Sequence, residues 1–278
     1  MTNPWIDRRV LNYAHQGGAR EAPSSTLFAL RQAIAAGAHA LELDVHATAD
    51  GHLVVCHDAT VDRTTSAAGA IATMTLADVQ ALDNAYWWVS GHVVAPGRPD
   101  ADYVHRGKAP DDRDFGIATL REVLDAVPGV FLNLDIKQTA PAVEPYEAAL
   151  AELLQEYGRT DDVIVASFND LATDAFKHHA PAVSTSAGTV AVAEFFAAVR
   201  DGEPTPSGVL RHHALQVPAT FQDVTLVDER FVTRAHEAGL AVHVWTIDDP
   251  AEMRRLVELG VDGVMTDRPS VLTEVLAT

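Results

Sequence analysis

Eight short aliphatic segments, set apart at crossover distances by stretches of helical periodicity, limit the folds open to this chain more than any other feature. The segments are residues 10–15, 40–46, 131–137, 163–167, 182–186, 214–217, 241–246 and 263–266. Apolar residues recur at helical spacing over 143–157, 170–178, 190–199, 228–238 and 249–259. A further helix is expected from Ser25 or Thr26 to Gly37, with Ser24 or Ser25 as its cap. Parallel strands need such crossovers, and eight β/α pairs are the arrangement of a closed TIM (β/α)8 barrel, an α/β fold. An open doubly wound sheet is the competing arrangement. Its Gly-x-Gly-x-x-Gly fingerprint does not follow the first strand, where the sequence is His15-Gln16-Gly17-Gly18. At 278 residues the chain suits one barrel domain over 1–278.

Two places depart from the repeat. Asp50-Gly51 leads from the second segment straight into Leu53-Val54-Val55-Cys56, too short a link for a parallel crossover. That strand should run back against its predecessor and deliver His57 and Asp58 near the barrel rim. Residues from about 60 to 116 then hold a helix-like 76–82, the run Tyr86-Trp87-Trp88 and a stretch rich in Pro, Gly and Asp. An insertion of this length reads as a cap-like segment above the barrel. Trp87 and Trp88 either pack against the barrel or line an acyl or aglycone site.

Chemistry concentrates where alternation is strict, in Leu41-Glu42-Leu43-Asp44-Val45 and Leu132-Asn133-Leu134-Asp135-Ile136-Lys137. Residues two apart share a strand face, so Glu42 and Asp44 point together, as do Asn133, Asp135 and Lys137. Carboxylates gathered in this way need a counter-charge, because buried like charges repel and lose hydration. Hard oxygen donors suit one divalent metal ion, Mg²⁺ or Ca²⁺. The competing reading pairs Glu42 and Asp135 with Lys137 or an arginine. His15 and His57, each at the end of an apolar strand, suit general acid–base work, whereas the other 11 of the 13 histidines read as surface or satisfied core groups. Trp245 reads as a pocket wall and His243, on the same strand face, as a deeper core residue.

Composition narrows the partners. Twenty basic against 39 acidic residues, a formal net charge of −19, argue against a nucleic-acid binder. The one cysteine, Cys56, excludes an intrachain disulfide and lies in a packing context. No apolar run approaches the roughly 20 residues of a membrane span, and residues 1–7 lack a signal-peptide pattern. A cytoplasmic enzyme without stable membrane insertion is expected; oligomeric state is not legible.

Taken in order, these motifs resemble the glycerophosphodiester phosphodiesterase family of metal-dependent phosphodiesterase barrels. The family's usual His-Arg-Gly, Pro-Glu-Asn-Thr, Glu-x-Asp-Val, Asp-Gly, His-Asp and Asp-Arg-Thr-Thr meet His15-Gln16-Gly17, Pro23-Ser24-Ser25-Thr26, Glu42-Leu43-Asp44-Val45, Asp50-Gly51, His57-Asp58 and Asp62-Arg63-Thr64-Thr65. Its Leu-Asn-Ile-Glu-Ile-Lys resembles 132–137, and its closing Val-Trp-Thr and Gly-Val-Asp-Gly-Ile-x-Thr-Asp resemble 244–246 and 260–267. The resemblance implies cleavage of a glycerophosphodiester to sn-glycerol 3-phosphate and an alcohol. It implies a divalent cation on Glu42, Asp44 and Asp135, an acid–base pair in His15 and His57, and substrate contacts from Gln16, Lys137 and Trp245. Attack by the glycerol 2-hydroxyl through a cyclic phosphate and direct attack by water are both consistent with it. Gln16 replaces the family's arginine, Ser24 its first glutamate and Asp135 its second; Arg20 and Glu21 are the nearest replacements for the first two. A lysophospholipase D-like enzyme acting on a lysophospholipid, with Trp87 and Trp88 in an apolar wall, and a catalytically silent phosphoester-binding protein are the alternatives.

Overall fold

The computed structural model describes residues 3–6 and 10–278; part of the amino-terminal stretch read for a leader, residues 1–2 and 7, lies outside the described residues. Its strands are β1 (Leu11–His15), β2 (Ala40–Ala47), β3 (Leu53–Val55), β4 (Phe131–Ile136), β5 (Val163–Ala166), β6 (Ser184–Thr185), β7 (Ala214–Pro218), β8 (Thr220–Phe221), β9 (Val224–Thr225), β10 (Ala241–Trp245) and β11 (Gly263–Thr266). The helices are α1 (Leu27–Ala35), α2 (Leu76–Gln80), α3 (Leu120–Ala126), α4 (Glu147–Glu156), α5 (Asp170–His179), α6 (Thr189–Asp201), α7 (Glu229–Glu237), α8 (Pro250–Leu259) and α9 (Pro269–Leu276).

Eight strands pair in parallel in the order β6-β5-β4-β2-β1-β11-β10-β7. A single parallel bridge, Ser186 to Ala214, joins the two ends of that order. The result is the nearly closed TIM barrel that the strand count implies. β6 is the shortest stave, two residues long, and Gly188 leads from it into α6. A Cβ there would lie 2.7 Å from Asp170 Cγ, and the Asp170 carboxylate caps α6 by accepting from Val190 and Ala191 N–H.

Period-two alternation sorts the β2 and β4 side chains. Leu41, Leu43 and Val45 join Leu132, Leu134 and Ile136 in an apolar layer with Leu30, Leu120, Leu150 and Phe176, all of them buried. Each such side chain contributes about 1.5–3 kcal/mol through burial. Phe195, Leu215, Val217, Phe231, Val244 and Leu256 form the matching layer on the opposite half. Glu42 and Asp44 therefore face into the barrel, in register with Asn133 and Asp135 of β4. α1 begins one residue later than its expected caps: Thr26 Oγ1 accepts from Ala29 N–H, while Ser25 sits at φ 58° in the preceding turn. α4 is also shorter than expected, beginning only at Glu147.

β3 pairs antiparallel with β2, as the short Asp50-Gly51 link requires. The insertion after it has its own small core of Val54, Cys56, Val61, Ile71, Val79 and Ile117. Trp88 is buried and donates to Ala19 O, and Trp87 donates to Thr65 O while Arg106 stacks over its ring. Trp87 is thus held within the insertion and Trp88 against the barrel's β1–α1 loop, as the packing reading has it, and neither lines the cavity described below.

The lower end of the barrel is closed by Trp5, Tyr13 and His243, with Trp5 Nε1 donating to Ser184 Oγ at 2.9 Å. His243 is fully buried, as its strand position implies, and burial lowers its pKa to about 3. The unfolded chain regains an ordinary imidazole, so on acidification it takes up a proton that the folded state refuses. Stability should be full above about pH 6.5 and fall progressively toward pH 3. At pH 4.5 the loss from this group is expected to be about 2–3 kcal/mol. Urea unfolding of wild type and His243→Gln at pH 7 and 4.5 checks it; parallel losses in the two proteins would contradict the assignment.

Candidate active site

Strand ends bring His15, Glu42, His57, Asp135, Lys137 and Trp245 to one rim, where active groups of β/α barrels gather, while Asp44 is fully buried and does not line the cavity there. A cavity of about 620 Å³ opens there, and its polar end is lined by His15, Glu42, His57, Asp135 and Lys137, with Trp245 beside them.

His15 ends β1, and its Nδ1 lies 2.7 Å from Asp267 Oδ1, on the residue that follows β11. Its Nε2 lies 3.8 Å from Glu42 Oε2 and 3.1 Å from the Gln16 amide nitrogen. Burial alone would lower the His15 pKa; the Asp267 hydrogen bond and the Glu42 charge outweigh it and raise it to about 9. The Asp267 carboxylate thus favours the protonated ring. Asp267 is fixed in turn, since its backbone N–H donates to Asp248 Oδ1 and Arg20 Nε donates to Asp248 Oδ2, both at 2.9 Å.

His57, directly beyond β3, is built in parallel. Its Nδ1 lies 2.6 Å from Asp58 Oδ1, and Arg63 Nε donates to Asp58 Oδ2 at 2.7 Å. Burial opposes the Asp58 charge, but the His57 and Arg63 hydrogen bonds prevail and hold its carboxyl below the usual range. The two imidazoles lie 6.1 Å apart between ring centres and nearly perpendicular at 81°. Each ring has one nitrogen fixed by a carboxylate.

Lys137 joins the acidic groups. Its Nζ lies 2.9 Å from Asp44 Oδ1 and 2.9 Å from Asp135 Oδ2. Asp44 Oδ2 and Asp135 Oδ1 are buried and accept no hydrogen bond. Burial and the Asp44 charge push Glu42 well above the carboxylate range, and burial likewise raises Asp135. Among the described residues no three His, Cys, Asp or Glu side chains already converge as a metal-ligand cluster. The ammonium thus serves as counter-charge to both aspartates; the salt-bridge reading holds for Asp135, but Asp44 takes the place it gave to Glu42, whose ion pair is with His15. Two carboxylate oxygens nevertheless remain unpaired, and their hard-donor chemistry fits a divalent cation.

Other placements differ from those expected. Gln16 does not line the cavity; it lies buried behind His15, at φ 53°, with its backbone N–H donating to Glu42 O. Its Oε1 has no hydrogen-bond partner, so a half-turn of the amide would present that oxygen to the protonated His15 ring. Neither expected replacement reaches the cavity: Arg20 turns to Asp248, and Glu21 accepts from Ser270 Oγ at 2.6 Å. Sequence reasoning passed over Asp267 and Arg63 as orienting groups, although both sit inside quoted motifs. It also passed over Gln216, whose amide donates to Asn133 Oδ1 at 2.7 Å beneath the cavity.

Comparisons with known proteins bear on the family and the fold. The model of the glycerophosphoryl diester phosphodiesterase family matches residues 15–271. A glycerophosphodiester phosphodiesterase of Caldanaerobacter subterraneus subsp. tengcongensis is 29% identical over 270 residues, covering 95% of this chain and 96% of that protein. Among solved structures, a putative glycerophosphoryl diester phosphodiesterase from Silicibacter pomeroyi superposes with a TM-score of 0.74 at 26% identity, over 98% of this chain and 94% of that one. An Oleispira antarctica phosphodiesterase, solved in complex with the product sn-glycerol-3-phosphate, shares the fold at a TM-score of 0.73 and 24% identity, over 98% and 97%.

Proposed function

The chain belongs to the glycerophosphoryl diester phosphodiesterase family, and from that premise we propose that it hydrolyses a small glycerophosphodiester to sn-glycerol 3-phosphate and an alcohol, using His15 and His57 as acid and base and one divalent cation. The observation that carries this reading is the pair of histidines, each held by its own carboxylate, 6.1 Å apart at a cavity that also presents Glu42, Asp135 and Lys137. The product held by the Oleispira antarctica phosphodiesterase supports the same bond cleavage.

His15, protonated and fixed through Nδ1, donates from Nε2 to the oxygen of the departing alcohol. His57, fixed through Nδ1 by Asp58, takes the proton of the attacking hydroxyl: water, which gives sn-glycerol 3-phosphate directly, or the glycerol 2-hydroxyl, which gives a cyclic phosphate that water then opens to it. Positioned proton transfer of this kind is worth about 10²–10⁴-fold. Lys137 offsets the acidic surroundings and faces the phosphoryl oxygens, Gln16 steadies the His15 ring, and Trp245 packs against the substrate. Glu42, Asp44 and Asp135 would hold the cation, either Mg²⁺ or Ca²⁺, the two aspartates through the oxygens that lack partners. When bound, that ion stabilises charge developing on the phosphoryl oxygens. The reaction is set in the cytoplasm. Among the described residues no helix is long and apolar enough to cross a membrane.

Calorimetric titration of chelator-treated protein with Mg²⁺ and with Ca²⁺, beside Asp44→Asn and Asp135→Asn, tests the cation site. Binding of one ion to wild type, weakened at least tenfold in each variant together with loss of EDTA-sensitive turnover, is expected. Equal binding by all three proteins would place the cation elsewhere.

A further inference from the structure

The outer half of the cavity is apolar, walled by Phe168, Phe196, Phe221 and Val224. Its floor is polar. Asn133 of β4 and Gln216 of β7 both line it, and Gln216 Nε2 donates to Asn133 Oδ1 at 2.7 Å. On the sealed side, His243 Nδ1 lies 3.4 Å from the same Gln216 nitrogen. A carboxamide has a donor end and an acceptor end, and the bond between the two residues uses one end of each. Asn133 Nδ2 and Gln216 Oε1 are left over. Neither meets a protein partner among the described residues, and neither is sealed from solvent, so both address the cavity. Exchanging oxygen and nitrogen in both amides reverses the bond and still leaves one donor beside one acceptor. Asn133 shares a strand face with Asp135 and lies two residues before it, about 7 Å deeper in the barrel.

We propose that Asn133 and Gln216 are specificity-determining residues that together read a free primary hydroxyl on the glycerol of the diester. This deepens the hydrolytic reading above and rests on it. A hydroxyl both accepts and donates, so it closes against the pair at once, accepting from Asn133 Nδ2 and donating to Gln216 Oε1. A carboxylate lacks the donor, an ammonium lacks the acceptor, and a methyl group lacks both. With the phosphoryl group beside Lys137 and the two histidines, a three-carbon glycerol arm reaches down the face of β4 to this floor. Asn133 is only 2% exposed, so a substrate without the hydroxyl leaves two polar groups facing it unpaired. A site built to bond a hydroxyl rejects the analogue lacking it far more strongly than an apolar pocket rejects a methylene. An acyl or ether group on that oxygen removes its proton and adds bulk at the floor, so the pair selects unsubstituted glycerol.

The test compares kcat/KM for glycerophosphocholine with kcat/KM for its 1-deoxy and 1-O-methyl analogues. Wild type is expected to prefer glycerophosphocholine at least tenfold over each. Gln216→Met keeps the length of the side chain and removes both amide ends, and it should bring the three substrates within threefold of one another. Asn133→Thr serves as the second variant and should narrow the same ratios. Equal use of the three substrates by wild type, or losses in the variants that leave the ratios unchanged, would overturn the proposal. Calorimetric binding of sn-glycerol 3-phosphate and of 2-hydroxypropyl phosphate, with divalent cation present, separates this failure from failure of the hydrolytic reading. Should no diester be cleaved, binding of glycerol 3-phosphate at least tenfold tighter in wild type, with the difference lost in Gln216→Met, still supports the pair. Absent binding, or equal binding of the two phosphates by wild type, overturns it.

Discussion

His15→Ala is expected to lower kcat/KM on glycerophosphocholine by about 10²–10⁴-fold, the range for loss of a positioned proton donor. Asp267→Asn should reproduce much of that loss although it leaves the imidazole in place, because the Asp267 carboxylate fixes Nδ1 at 2.7 Å and favours the protonated ring. The two act as one unit. The double variant should therefore fall little below His15→Ala, far short of the sum of the single effects. Steady-state kinetics on the three proteins checks this. Retention of activity within threefold by His15→Ala would remove His15 from the chemistry, and additive losses would separate Asp267 from it.

Lys137→Met should produce the largest change in stability. Its ammonium is the partner of Asp44 and Asp135, which are 0% and 7% exposed. Removing one partner of such a buried set leaves uncompensated charge and costs about 3–5 kcal/mol. In EDTA the variant should unfold correspondingly earlier in urea. A divalent cation on the same carboxylates replaces the missing counter-charge, so millimolar Mg²⁺ or Ca²⁺ should restore a larger share of stability to Lys137→Met than it adds to wild type. Equal shifts in both proteins would show that cation and lysine do not share a site.

The barrel was legible because period-two and helical patterns are long enough to count: β2 and β4 declare their inward and outward faces through Glu42, Asp44, Asn133 and Asp135 alone. Shorter elements were missed for the same reason. α3 has seven residues, less than two full turns of pattern, although Thr119 and Glu122 form a capping box that is readable in sequence. α9, opened by Pro269, and the two-residue strands of the β8–β9 hairpin were passed over too. That hairpin carries Phe221 and Val224, so the apolar side of the cavity was invisible, and Trp87 and Trp88 stood in for it. Side-chain direction was the other blind spot. Gln16 sits next to His15 in sequence, yet its positive φ turns it behind the ring. Arg20, the nearest replacement for the family's arginine, is claimed by Asp248. Asp267 lies 252 residues from His15 and meets it only because β11 pairs with β1.

The most direct test of the central claim is to follow glycerophosphocholine by ³¹P NMR, with Mg²⁺ or Ca²⁺ and with EDTA. The account predicts cation-dependent conversion to sn-glycerol 3-phosphate, with choline released and the signal absent for His15→Ala. Phosphocholine as the phosphorus product, or glycerol 3-phosphate formed equally in EDTA and by His15→Ala, would contradict it.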